Sequence, residues 1–404
     1  MRQTKVNKWF FILVLLVIFS CSKENDLGDS TKVSQENFVE LSRAKEIGSE
    51  ISFKSNASNS HTGKSTIKKR IEAVDEVKND IGNTVFYVIN YIEGGYVILS
   101  ADNRAQPIIA FSEDDKFAVD KGKDVLYPDG LKSWVANAKG QITAIQKSMI
   151  KQTEKERLIW SQVSEVLVSR NLLQQAPSDK CYNRVTTDTK GPFLAVFWDQ
   201  QKGFNSAMPY INCDGVSKRA FAGCVPIAMA QIMKYYEYPT NYNWSFMDYN
   251  TSTDAAAQFI WDVNKAITNV YPGQPSYSCS GTGVTNSCNM GKVLKEKFGY
   301  SSADWADYSY QVVKSNLAED RPVILSGSSD SGGHMWVCDG YKATKYEFNN
   351  CTSNTTLYFH MNWGWGGYSD GFFAYNDFNM SDTNENVTNT SYNKNVKMIY
   401  NIKP

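Results

Sequence analysis

The chain has 404 residues, enough for two or three domains, and its 42% hydrophobic and 13% aromatic content supplies a core. The formal net charge is zero, which excludes the basic footprint of a nucleic-acid binder and an acidic tail. Histidine occurs only at positions 61, 334 and 360, and the eight cysteines form no CxxC pair. That spacing argues against a zinc ribbon or a dithiol redox site, so no metal and no cofactor is expected.

The first residues read as a leader. Arg2, Lys5 and Lys8 precede the apolar run WFFILVLLVIFS, Trp9 to Ser20. The run is too short for a stable membrane span and suits the core of a signal peptide. It ends at Cys21 followed by polar SKEND, and VIFSC is similar to a bacterial lipobox. The expectation is a lipoprotein signal over 1–21, lipidation of Cys21, export to an outer membrane or cell surface, and membrane contact through that anchor alone. An ordinary secretory signal is the alternative.

Next comes a small α+β unit. The segment 34–47 reads as a helix with Ser34 as N-cap. Residues 54–66 are a low-complexity loop, which sets His61 aside. TVFYVINYI (84–92) and YVILSA (96–101) read as strands around the Glu93-Gly94-Gly95 turn, with PIIAFS (107–112) as a third. From Gly130 to Leu173 the apolar spacing turns helical. Residues 174–192 are polar, with proline near both ends and no periodicity, which marks a domain boundary. The expected division is 22–185 and 186–404.

Chemistry concentrates in the second part. In FAGCVPIAMAQIMKYYEYP, Cys224 follows a glycine at the start of a helix, where unpaired N–H groups and the dipole favour thiolate. Pro226 falls in the first turn, where its missing N–H costs nothing. In RPVILSGSSDSGGHMWVCDGY, a Gly/Ser loop delivers His334 to a strand, and Gly333 lets a substrate backbone approach. His360 sits inside LYFHMNWGW and reads as a packed residue. In HMNWGWGGYSDGFF, the amide of Asn362 lies beside two indoles, Trp363 and Trp365. FWDQQ offers Gln200 as an amide for an oxyanion. Cys279 and Cys288 are a candidate disulfide pair whose spacing alone does not decide the matter.

Together these segments resemble the streptopain family of papain-like cysteine proteases. GCVPIAMAQIMKYYEYP, GGHMWVCDGY and MNWGWGGYSDGFF follow that family's order, and 85–112 resembles its inhibitory pro-domain. The resemblance implies an α+β fold, a papain-like catalytic domain preceded by a small α+β pro-domain. It implies a cysteine endopeptidase made as a latent zymogen, with Cys224 as nucleophile, His334 as acid/base and Gln200 in the oxyanion hole. Asn362 or Trp363 would orient His334, and Gly333 and Trp365 would line the substrate cleft. The implied partners are protein or peptide substrates and the chain's own pro-domain as inhibitor. Pro226, in place of a small residue, and Cys338, in a core position, depart from the pattern. Two rival readings remain: a transglutaminase-like acyl transferase, suggested by Asp339, and a non-catalytic surface binding lipoprotein.

Overall fold

The structure, a computed structural model, describes residues 36–54, 66–119, 127, 129–163, 184–329, 332–347, 351–375 and 394–404. The leader, Cys21, Ser34, His61 and most of the expected maturation stretch lie outside them.

The first helix, α1 (Leu41–Glu50), starts later than the sequence suggests. Phe38 bridges Asp102, and Val39 N–H donates to the Ala101 carbonyl, so the chain stays extended up to Glu40. Strands Ile71–Lys78, Thr84–Tyr91, Tyr96–Ser100 and Ile108–Ser112 then form an antiparallel meander. Its middle turn lies at Glu93-Gly94-Gly95, where turn-forming residues predict it. Gly94 and Gly95 both have positive φ, and a side chain on either would strike the backbone at 113–114. Helices α2 (Asp129–Lys147) and α3 (Glu154–Ser161) follow, as the apolar periodicity predicts. A capping box between Thr153 and Glu156 fixes the start of α3.

The rest of the chain carries α4 (Cys224–Tyr236), α5 (Asp254–Val270), α6 (Met290–Phe298) and α7 (Tyr310–Ala318). It also carries the strands Ser302–Asp307, Val323–Ser329, Gly332–Glu347, Ser353–Asn362, Gly371–Ala374 and Lys394–Lys403. These strands and the meander form one 11-stranded sheet, with Arg184–Lys190 joined to the side of Gly332–Glu347. The seam is a short antiparallel pairing in which Phe372 faces Phe111 and Phe373 faces Ala110. The segments before and after residue 185 therefore share a sheet as well as a chain.

Alternation along the strands sorts the core into two layers. Val323, Leu325, Trp336 and Cys338 face the cluster that holds Leu131, Trp134 and Ala138 of α2 and Val313 and Leu317 of α7. Ile324, Met335, Val337 and Ile399 face the cluster built on α4, α5 and α6. One helix of the N-terminal region thus covers a face of the sheet whose other face carries α4. The fold is mixed α+β.

The cysteines pair differently from the candidate. Cys213 is bonded to Cys279, while Cys288 is free and partly buried. Strands Tyr210–Cys213 and Val216–Arg219 form a hairpin that presents Cys213 to Cys279 across a distance in space that sequence spacing does not reveal.

Candidate active site

Helix α4 begins at Cys224, with Gly223 as its N-cap. Gly223 has a φ of 93°, and a Cβ there would lie 3.0 Å from the Thr282 methyl, so only glycine brings the chain through this turn. No side chain caps this helix start, and its first turn holds no acidic residue. Pro226 occupies the first turn without breaking the helix. Residues 225–234 are all buried, so the helix is anchored on every side and its first residue is held in place.

His334 lies near the start of the strand Gly332–Glu347, opposite Gly327, and is only 6% exposed. Its Nε2 is 3.0 Å from the carbonyl oxygen of Trp363. A carbonyl can only accept, so Nε2 carries the proton there and the lone pair of the neutral ring lies on Nδ1. The imidazole stacks over Trp336 at 6.0 Å, and the Trp363 ring lies 6.5 Å away. Cys224 and His334 line a common cavity of about 300 Å³, with Gly333, Thr282, Asn286 and Trp305 among its walls.

The turn after Asn362 is held from several directions. The Asn362 amide donates to the Val196 carbonyl, and its oxygen accepts from Gln231 and from Gly364 N–H. These contacts tie α4, the 196–199 segment and the turn together. Trp363 N–H donates to Asp370 at 2.8 Å, and its indole N–H donates to the Ser369 carbonyl. Gly364 needs its positive φ of 71° and leaves room for Ile227 of α4. The Gln200 carbonyl accepts from Ala222 N–H at 2.9 Å, which ties Gln200 to the segment leading into Cys224. Trp365 is half-buried in the adjoining turn and lies outside the walls of the common cavity.

His360 does not share this cavity. Its Nδ1 donates to Asp339 at 2.6 Å, and the other Asp339 oxygen accepts from Leu194 N–H. Sequence reasoning missed Trp336, Thr282 and Trp305. Trp336 was discoverable, since a residue two places along a strand from His334 shares its side. Thr282 and Trp305 are brought in by folding alone. Cys288, also in the cavity wall, has its thiol pushed up by burial, and Cys338 is pushed well up for the same reason.

The N-terminal region reaches the same neighbourhood. Gly130, at the start of α2, is so close that a Cβ there would lie 2.8 Å from the Trp363 ring and 3.1 Å from Trp336. The two indoles beside His334 thus lie against the start of α2.

Comparison with known proteins agrees with this arrangement. The Peptidase C10 family model matches residues 198–266 and 240–373, and the Spi protease inhibitor model matches 36–142. The chain is 24% identical to streptopain of Streptococcus pyogenes over 84% of its own length and 87% of that protein. It is also 24% identical to the thiol protease/hemagglutinin PrtT of Porphyromonas gingivalis, over 79% of its length, and spans 37% of that longer protein. Its fold resembles a prointerpain A fragment from Prevotella intermedia, with a TM-score of 0.53, 21% identity, and coverage of 82% of this chain and 99% of that one. A buried helix that starts on a cysteine, a histidine in the same cavity and an inhibitor-type region against its flanking indoles agree with these matches: the chain belongs to the Peptidase C10 family of cysteine proteases and carries a Spi-type inhibitory pro-domain.

Proposed function

We propose that the protein is an exported cysteine endopeptidase that hydrolyses peptide bonds through Cys224 and His334 and is held latent by its own pro-domain. The observation that carries this reading is the common cavity of Cys224, at an uncapped helix start, and His334, whose Nε2–H is occupied by the Trp363 carbonyl.

In this reading Nδ1 of His334 takes the thiol proton. The thiolate adds to the scissile carbonyl carbon, and the imidazolium returns the proton to the departing amine. Water then displaces the enzyme sulfur from the acyl carbon and restores the thiol. A free thiol with pKa about 8.5 is a few per cent ionised at neutral pH, so full ionisation gains roughly 30-fold in thiolate. A fall of about 4–5 pKa units loses on the order of 100-fold in nucleophilicity. The pair's benefit is therefore the proton stored on His334 for the leaving amine. The Gln200 amide and the Cys224 backbone N–H are assigned to the oxyanion. Gly333 lines the substrate side, Trp363 orients the histidine and Asn362 holds the turn, while Trp365, half-buried in that turn, stays outside the cavity walls.

Latency follows from where α2 packs. The pro-domain sets the seats of Trp336 and Trp363, and through them the setting of His334. Maturation within 174–192 and lipidation of Cys21 are proposed from the sequence alone. Among the described residues, no helix is long and apolar enough to cross a membrane. The acyl-transferase reading loses its motivating residue, because Asp339 is engaged by His360 and Leu194.

A thiol-directed epoxide tests the assignment in processed protein. One equivalent on Cys224 should abolish peptide hydrolysis. Full labelling of Cys224 with hydrolysis intact would rule the nucleophile out.

A further inference from the structure

Beside the seam between the pro-domain and the peptidase region lies an ionisable cluster that the catalytic reading does not use. His360 lies opposite Phe372 on the neighbouring strand, and Phe372 lies opposite Phe111 of the pro-domain. The Phe372 ring packs edge-on to the imidazole at 5.0 Å and is stacked on Phe111 at 5.0 Å. One carboxylate is hydrogen-bonded to the imidazole, and two more from other parts of the chain act on it electrostatically. Asp339 comes from the adjacent strand at 2.6 Å, Asp370 from the turn before Gly371, and Asp115 from the pro-domain just past Ile108–Ser112. Asp115 is set by its N–H, which donates to the Ser112 hydroxyl. Tyr96 of the pro-domain closes the cluster over the carbonyl of Asp370. Asp370 is 1% exposed, and its Oδ2 is buried with no hydrogen-bond partner among the described residues.

Other charges nearby are accounted for. Lys342, on the Asp339 strand, lies over the Phe111 ring at 5.2 Å. Asp114 adds a further negative group beside Asp115. Lys69 donates to the carbonyls of Gly94 and Glu113, and Lys116 pairs with Glu72.

We propose that His360, Asp115, Asp339 and Asp370 form a proton-loaded latch, which fastens the pro-domain to the peptidase region at low pH and loosens as pH rises. It rests on the reading of the pro-domain as the inhibitor and adds how that inhibitor is held. With every carboxyl ionised, the cluster carries three negative charges against one imidazolium and the Lys342 ammonium. Excess charge among aromatic rings is costly, so the docked state keeps protons that the separated surfaces would release.

The directions of the individual groups agree. Burial pushes Asp115 up to about 6, opposed by His360 and assisted by Asp114. Burial holds Asp370 well above the carboxylate range, assisted by Asp115 and Asp339 and opposed by the Trp363 N–H and His360. Burial lowers His360, but the carboxylates of Asp339, Asp370 and Asp115 outweigh it and leave the imidazole raised. A group raised in the docked state stabilises docking fully below its ordinary value and loses that effect as pH climbs through the docked one. For Asp115 the window runs from 3.8 to about 6. For His360 only the part of the rise that comes from Asp115 belongs to docking, since Asp339 and Asp370 stay beside it on the peptidase side.

The test uses the full-length chain carrying Cys224→Ala, which removes thiol titration and self-cleavage. Amide exchange at 108–112 and 371–374, corrected for intrinsic rates, reports opening of the seam. The Asp115 shift alone corresponds to roughly 100-fold in the docking equilibrium across its window. Opening is expected to rise at least about tenfold between about pH 4.5 and about pH 7.5. Adding Asp115→Asn should reduce that rise to less than about threefold. A seam whose opening does not change with pH, or an Asn variant whose profile overlays its parent, overturns the latch. Ring-carbon NMR of the Cys224→Ala chain gives an independent reading that needs no folded Asp115 variant. With three histidines in the chain, His360→Gln assigns the resonance. His360 should titrate above the ordinary imidazole range, and titration at or below it overturns the proposal. A pH-independent seam in a chain that nevertheless stays latent removes the latch and leaves the inhibitory reading standing.

Discussion

His334 is held by the backbone of Trp363: its Nε2 meets the Trp363 carbonyl at 3.0 Å, while the neighbouring Asn362 amide bonds to Val196, Gln231 and Gly364. An orienting group supplied by the main chain survives side-chain substitution as long as the turn keeps its shape. Trp363→Phe therefore keeps the carbonyl and loses the indole bond to Ser369. It should lower kcat by about 3- to 10-fold with KM little changed, since one neutral hydrogen bond is worth about 1 kcal/mol. A loss on the order of 1,000-fold would assign the indole a direct part in the chemistry. Asn362→Ala removes an amide with three buried partners and should destabilise the protein by about 2–4 kcal/mol, read by urea denaturation.

Gly130 links latency to the same two indoles. Gly130→Ala adds a methyl 2.8 Å from the Trp363 ring and 3.1 Å from Trp336, so α2 must shift or the rings must. In unprocessed chains with Cys288→Ser, iodoacetamide should alkylate Cys224 at least about 5-fold faster than in the Gly130 parent, since overpacking of this kind costs about 1–3 kcal/mol. An unchanged rate would mean that the α2 seat does not control access to the thiol.

Gln200→Ala should reduce kcat roughly 100-fold with a small change in KM, the loss expected for one oxyanion donor. An equal rise in KM with kcat preserved would place Gln200 in ground-state binding instead.

The Cys213–Cys279 bond joins residues separated by 66 positions. Replacing Cys213 with Ser should destabilise the protein by about 2–4 kcal/mol, and Cys288→Ser should cost less than about 1 kcal/mol. Non-reducing peptide mapping should recover the 213–279 pair. A 279–288 pair would contradict the fold of the 210–219 hairpin.

Much of this was legible in the chain before folding. The strands around the Gly94-Gly95 turn declare themselves through β-branched and aromatic runs, and α4 through Gly223, Pro226 and a long apolar stretch. Cys224 and His334 stand out because each sits at the start of an element beside glycine. The seam from Phe111 to Phe372 was not legible, because edge pairing is decided by which edges meet in space and leaves no periodic mark. The same holds for His360 and Asp339, whose contact depends on the register between two strands. The start of α1 was misplaced because Ser34 looks like a cap, while the bridge from Phe38 to Asp102 keeps the chain extended. Trp363 was half legible: the indole drew the eye, and the contact with His334 is through the Trp363 carbonyl.

The most direct test of the account compares the full-length chain with its Cys224→Ala variant on casein under reducing conditions, followed by N-terminal sequencing of any shortened product. The native chain should shorten with a new N-terminus within 174–192 and then degrade casein, and the variant should remain full-length and leave casein intact. Casein hydrolysis by Cys224→Ala at the native rate would contradict the assignment of Cys224 as the nucleophile.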